Sequence, residues 1–445
     1  MTPRRSIYQH SLHMEKGHVG REVDLPFFLF VPRYLAVCAS VWFICALLAS
    51  AAVSADALKS EFRGLWIVRH DLTTPGKVIR AMGDAKRSGF NAVMVQVRGR
   101  GDALYRSRFV PRSETLAGTT SDFDPLALVI EEARLSGLQV HAWVNAFLTW
   151  HPTSRRPTST EHLLLRHPEW FMVSSDGIDM GCPDLAEVDL VQRGVEGRYL
   201  SPGVPEVRAH LAAVVGELIR NYDLDGVHLD YVRFPNKHYD YNLVSRTGFV
   251  SRYRFDPLSM GSDLSVRGQV AKDSSLATRA RIWEAWRAEQ VTETVGLLRE
   301  TVDAAKPWVR LSAAVKPDPA VAYRQYGQDW IGWVNGGLLD FVVPMFYVGS
   351  TDEVSQQVRL AAGHVKRGHL YAGVGAYNQS VNESLSQIES VRRIGVPGVV
   401  IYSYASLANR VGLAGFLRSG PFAEGTAVPP MPWKPERGRG EDKAR

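Results

Sequence analysis

Cysteine is nearly missing from this chain. There are three in 445 residues, and two of them, Cys38 and Cys45, sit in an apolar N-terminal stretch. Cys182 is alone in the remainder, which excludes an internal disulfide there and any cysteine-based metal centre. Runs of five or six Lys or Arg are also missing. The net charge of +6 is spread along the chain, which argues against nucleic acid as a partner. No phosphate loop, dinucleotide fingerprint or nucleophile elbow occurs, and Gly99-Arg-Gly101 is too short to be one. Close-spaced histidine pairs of the metallohydrolase kind are absent, so neither a metal nor a cofactor is expected.

One long apolar run is present, Tyr34 to Ala52, and no charge breaks it. It comes after Arg4, Arg5, Arg21 and Arg33, and Val53-Ser54-Ala55 supplies small residues before Asp56. Residues 1–55 therefore read as a secretory signal peptide. An uncleaved membrane anchor is the alternative, since the stretch is nearly long enough to span a bilayer. Leu35-Ala-Val-Cys38 is a poor lipoprotein box, because Val37 is bulky where a small residue is needed. Each reading exports the rest of the chain and confines membrane contact to this segment.

From Glu61 strand-like and helix-like segments alternate. The strands are read at 62–69, 91–98, 139–146, 225–230, 310–317, 340–347, 370–377 and 398–404. Helices between them start at Pro75, Pro125 and Pro205, and Gly89 and Gly137 follow two of their ends. Eight such repeats predict a (β/α)8 TIM barrel over residues 61–417, with long inserted loops after strands 3 and 4. A doubly wound open sheet is the competitor. It fits less well, because polar residues gather at the strand ends and both long insertions follow strands. From Pro421 the chain is rich in Pro, Gly and charge without periodicity, so 421–445 reads as a disordered tail.

The stretch Asp225-Gly-Val-His-Leu-Asp-Tyr-Val-Arg-Phe-Pro235 is the strand that ends most abruptly in charge. His228 and Asp230 share one face, and Arg233 follows. Gln96 and Arg98 end the second strand and lead to Asp102. His141, Trp143 and Asn145 share a face of the third. Lys316 and Asp318 end the fifth, Met345 and Tyr347 the sixth, Tyr402 and Tyr404 the eighth. Polar groups converging with aromatic rings suit sugars, whose hydroxyls need planar donors and acceptors and whose apolar faces need a platform. Hydrolysis of a glycosidic bond also takes two carboxyl groups. Asp230 is the first candidate. Asp102 or Asp318 is the second, because Asp225 begins its strand and belongs at the opposite, stability face. Structural alternatives stand beside each. His141 and Trp143 can be core residues, Arg98 can pair with Asp102 or Asp230, and Tyr402 and Tyr404 can be packing.

Several ordered segments resemble a known family: Glu61-Phe-Arg-Gly-Leu-Trp66, Phe90-Asn-Ala-Val-Met-Val-Gln-Val-Arg98, Gly101-Asp-Ala-Leu-Tyr105, Val140-His-Ala-Trp-Val-Asn145, Asp225-Gly-Val-His-Leu-Asp230 and Gly398-Val-Val-Ile-Tyr-Ser-Tyr404. They resemble the glycosyl-hydrolase-like TIM-barrel proteins once grouped as domain of unknown function 187. The resemblance implies exported bacterial barrels acting on glycans, some on peptidoglycan strands stripped of their peptides. It also implies that Arg98, Asp102, His141, Asn145 and Asp230 line the site. Two departures matter. Met345 stands where the family's sixth strand carries Gln. And His228 and Val232 stand where the chitinase signature has an Asp and its catalytic Glu, so a substrate-assisted chitinase mechanism does not carry over.

The expectation is an exported glycoside hydrolase of a cell-envelope or extracellular polysaccharide, with Asp230 as nucleophile or base and Asp102 as partner. Arg98, His141, Trp143, Asn145, His228, Arg233, Lys316 and Tyr347 would bind the sugar. A non-catalytic glycan-binding barrel is the alternative, and a metal-dependent deacetylase the third reading.

Overall fold

The computed structural model describes residues 60–151, 156–260 and 274–437. The expected signal or anchor, 1–55, lies outside these residues. Among those described, no helix is long and apolar enough to cross a membrane.

The strands are β1 (Phe62–Ile67), β2 (Ala92–Arg98), β3 (Gln139–Asn145), β4 (Gly226–Asp230), β5 (Arg310–Val315), β6 (Phe341–Phe346), β7 (His369–Leu370, then Ala372–Gly375) and β8 (Gly398–Tyr402). All neighbours are parallel, and β8 pairs back onto β1, so the sheet closes into the eight-stranded barrel expected. Helices surround it. Three of them start alike, with a polar cap before proline: Thr74 before Pro75, Asp124 before Pro125, Asp318 before Pro319. The cap oxygen takes an otherwise unpaired helix N–H, and proline fixes the first helical φ without losing a needed donor.

The outward strand faces and the helices share one core. A second apolar cluster fills the barrel itself, including Phe62, Met94, Trp143, Phe341 and Tyr371, with Trp66 and Ala314. Phe62 stacks on Tyr371 with ring centroids 4.4 Å apart. Gly226 is required here. A Cβ at that position would overlap Nδ1 of His141, which is packed edge-on between Phe62 and Phe341.

The long loops come after β3 and β4 as expected. The first carries an antiparallel ribbon, Leu148–Trp150 with Arg198–Tyr199. Asp240, from the second loop, accepts from Ser201 Oγ and from the Val173 N–H, both in the first. The two insertions are thereby joined into one rim over the carboxyl ends of the strands.

The reading of the tail as disordered is corrected for residues 421–437, which pack across the amino-terminal end of the barrel. Ala427 bridges to Ser60, Phe422 and Met431 are buried, and Trp433 Nε1 donates to Asp340 Oδ1 over 3.0 Å. A few apolar anchors hold this segment, so no periodicity marked it.

Candidate active site

The strand ends and rim enclose a cavity of about 630 Å3, within the usual range for small-molecule sites. Asp230, the last residue of β4, lies in it. Tyr231 comes next with φ 49°, a left-handed conformation rare for a bulky aromatic and typical of constrained functional positions. That turn points the Tyr231 N–H at Asp230 Oδ1, 2.7 Å away. Asp230 is only 9% exposed. Burial pushes its carboxyl up to about 6, against the pull of Arg233, the Tyr231 N–H and Lys316, and Glu196 adds to the rise.

Glu196 is the second carboxylate in the cavity, and it comes from the insertion after β3. Burial pushes it up, but Arg233 outweighs this and holds it below the usual carboxylate range. Arg233 Nη2 donates to Glu196 Oε1 over 2.8 Å, and the Tyr199 hydroxyl donates to Oε2 over 2.8 Å. Two carboxyl groups in one cavity therefore differ in proton affinity for identifiable reasons. One is dry and the other is ion-paired.

An aromatic wall faces them. Tyr347 and Tyr402 lie 5.6 Å apart between ring centroids, Tyr377 meets Tyr347 edge-on at 5.8 Å, and Trp66 meets Tyr402 at 6.0 Å. A hydrogen-bonded chain lines another side. Arg69 Nη1 donates to Gln96 Oε1, Gln96 Nε2 to Asn145 Oδ1, Trp143 Nε1 to the same oxygen, and Asn145 Nδ2 to the Gly99 carbonyl.

Of the residues expected at the site, Asp230, Trp143, Asn145, Arg233, Lys316 and Tyr347 line this cavity, and Asp102, Arg98, His141 and His228 do not. Each of the four has a physical reason. The β2–β3 register slips between Gln96 and Arg98, so Arg98 lies beside Val144 instead of Asn145. A bulge of this kind turns the next side chain to the other face. Arg98 there donates to the carbonyls of Asn145 and Ala146. Asp102 is buried, accepts from Ser113 Oγ at 2.6 Å, and sits 3.4 Å from Arg100 Nη2, so it fixes the loop after β2. His141 lies deep in the barrel, where burial, with Arg310 and His228 adding to it, holds it well below its ordinary pKa. His228 is one layer higher, its Nδ1 2.9 Å from Ser312 Oγ, and burial pushes it down to about 3. Asp318 caps the helix at Pro319, and Asp225 accepts from the Val140 N–H where β4 begins.

The polar and aromatic residues not anticipated are Glu196, Arg69, His70, Arg100, His151, Tyr231, Trp66 and Tyr377. Strand alternation from Phe62 could have found Trp66. Nothing in the insertion singles out Glu196. Among the described residues, no group of three or more His, Cys, Asp or Glu is placed to hold a metal.

Residues 61–391 match the family described as glycosyl hydrolase-like 10. Glycosyl hydrolase YngK of Bacillus subtilis is 27% identical over 390 residues, covering 80% of this chain and 68% of that protein. Glycosyl hydrolase DigH of Escherichia coli K12 is 26% identical over 324 residues, covering 66% of this chain and 63% of that protein. The chain thus spans about two thirds of these relatives' length. The fold is similar to that of the PgaB (BpsB) glycoside hydrolase domain from Bordetella bronchiseptica, with a TM-score of 0.56 and 13% identity over 80% of this chain and 98% of that one. With a closed barrel and a match over most of its length, this chain belongs to the glycosyl hydrolase-like 10 family.

Proposed function

We propose that the protein is an exported glycoside hydrolase of a cell-envelope or extracellular polysaccharide, peptidoglycan strands among them, and that Asp230 and Glu196 are its two carboxyl groups. The observation that carries this reading is their opposite environments within one aromatic-walled cavity. The buried Asp230 retains a proton to higher pH and donates it to the leaving glycosidic oxygen. Glu196, kept ionised by Arg233, faces the developing positive charge as base or nucleophile. This assigns Asp230 the acid's role instead of the nucleophile's. Asp102, fastened to Ser113 and Arg100, gives up its part to Glu196.

The test is product release from peptide-free peptidoglycan strands and a panel of other envelope glycans, read by mass spectrometry. Wild type is expected to release oligosaccharides, and Asp230→Asn and Glu196→Gln to lose activity by about 10²- to 10⁴-fold, the usual contribution of a general acid or base. Full activity in either variant would remove that residue from the mechanism.

One observation favours a second reading. Both Glu196 oxygens already accept hydrogen bonds, as suits a glycan-binding barrel that does no chemistry. Retention of glycan by wild type and Asp230→Asn alike, with no product from either, would establish that reading. Export is tested separately, by cell fractionation with and without residues 1–55.

A further inference from the structure

The cations of the cavity are not all matched by carboxylates. Arg233 is paired with Glu196, and Lys316 lies within the field of both Glu196 and Asp230. Arg69 has no ion pair among the described residues. Its side chain donates only to the neutral Gln96 oxygen, at 3.2 Å, and its buried Nε has no partner. Burial lowers its pKa, the adjacent Arg100 lowers it further, and Asp102 only partly opposes them. Arg100 reaches Asp102 at 3.4 Å and Glu114 at 4.0 Å and lies 4.6 Å over the Trp150 ring, so it is matched where Arg69 is not. Arg69 is thus held in a half-dry corner beside a second guanidinium, with no carboxylate in ion-pair contact among the described residues. Such an arrangement is unfavourable unless a ligand supplies the missing anion.

The corner is built for this placement. A Cβ at Gly99 would come within 2.9 Å of Arg69 Cδ and 3.1 Å of its Nη1, so glycine makes the seat for the side chain. The Gln96–Asn145–Trp143 chain then fixes its direction. Tyr231 and Tyr402 each lie within electrostatic reach of both Arg69 and Asp230, which places the corner beside the acid.

We infer that Arg69, with Arg100 beside it, is an anion subsite, and that the substrate is an acidic glycan bearing a carboxylate on a sugar next to the scissile bond. A guanidinium fork matches a carboxylate in two parallel hydrogen bonds, which a neutral hydroxyl cannot supply. The inference rests on the hydrolase reading above and adds the charge of the substrate to it.

The experiment compares peptide-free peptidoglycan strands with the same strands after chemical reduction of their lactyl carboxylates to alcohols. Polygalacturonate serves as a second acidic polymer, so that a lactyl ether and a uronic acid are distinguished. Wild type should prefer the carboxylate form by about ten- to a hundredfold in kcat/KM, the usual worth of a charged hydrogen-bonded pair. Arg69→Met should bring that ratio to near one, and Arg69→Lys, which keeps charge but loses the fork, to an intermediate value. Thermal melts of both variants show whether each is folded. Asp230→Asn provides the same comparison as an affinity ratio in a binding assay. Equal handling of native and reduced strands, or a preference that survives Arg69→Met, overturns the inference and leaves the hydrolase reading standing. Binding and cleavage of no glycan at all overturns both.

Discussion

Arg233 Nη2 lies 2.8 Å from Glu196 Oε1 and joins the turn after β4 to the insertion after β3. Arg233 is almost wholly buried and Glu196 is 37% exposed. The contact has two consequences. It keeps one carboxylate ionised in a partly dry site, and it positions that carboxylate from a loop with little regular structure of its own.

The pH dependence of hydrolysis is set by the pair. As acid, Asp230 must be protonated, so kcat/KM should fall as pH rises through about 6. Glu196 must be ionised, and with its pKa below the usual range the acid-side loss should come only at low pH. In Arg233→Met the burial of Glu196 is no longer offset, so the acid-side limb should move upward. A pH–kcat/KM profile of both proteins checks this. Activity that climbs through pH 6 instead would give Asp230 the role of base or nucleophile.

Stability should vary with pH in the opposite sense from that of an ion-paired carboxylate. Asp230 has a folded pKa of about 6 against 3.8 when exposed. Between these values the folded chain keeps a proton the unfolded chain has released. The stabilising contribution is complete below about 4 and is lost as pH rises through 6. Asp230→Asn removes the cost of the buried anion. It should exceed wild type by on the order of 2–3 kcal/mol at pH 7.5 and match it near pH 4. Urea unfolding at both pH values measures the difference, and an equal gap at the two would show that the charge is not its source.

Removal of residues 421–437 should destabilise the barrel strongly. Phe422 and Met431 would leave buried positions, and Asp340 would lose Trp433 and Lys434. At about 1.5–3 kcal/mol for each of these two apolar side chains, the loss is about 3–6 kcal/mol. It should appear as a lower melting temperature for a chain ending at Gly420. An unchanged melt would mean that the segment only covers the barrel.

Gly226→Ala should be costly although it adds one methyl group. The new Cβ would overlap His141, which is confined by Phe62 and Phe341. About 3 kcal/mol is expected for such overpacking. Combining it with His141→Ala should recover part of this, because the two changes share one space. Additive costs in a denaturation cycle would rule out the steric cause.

The barrel was legible because eight short apolar runs end in polar residues and both long insertions follow strands, a pattern that fits a closed parallel barrel better than an open sheet. Asp230, Trp143, Asn145, Arg233, Lys316 and Tyr347 were legible by position at those ends. Arg98 was not. Counting by twos from Gln96 assumes an unbroken register, and the slip at that point turns Arg98 away. His141 and His228 lie on the inward face as read, but too deep in the barrel to reach a ligand. Glu196 could not be found by periodicity, since the ribbon at 148–150 and 198–199 and the contact with Arg233 place it. The tail escaped for a related reason: three separated anchors, Phe422, Met431 and Trp433, do its packing.

The pairing of Ser60 with Ala427 brings the entry to β1 and the segment 421–437 to the same face, the base of the barrel. Arg437 contacts Asp223 there, just ahead of β4. The cavity opens at the other face. Ser60, Ala427 and Arg437 therefore lie at the end of the barrel away from the mouth. The full length of the strands separates these residues from the cavity, so substitutions at the base can alter how firmly the barrel is closed without touching anything that lines the mouth.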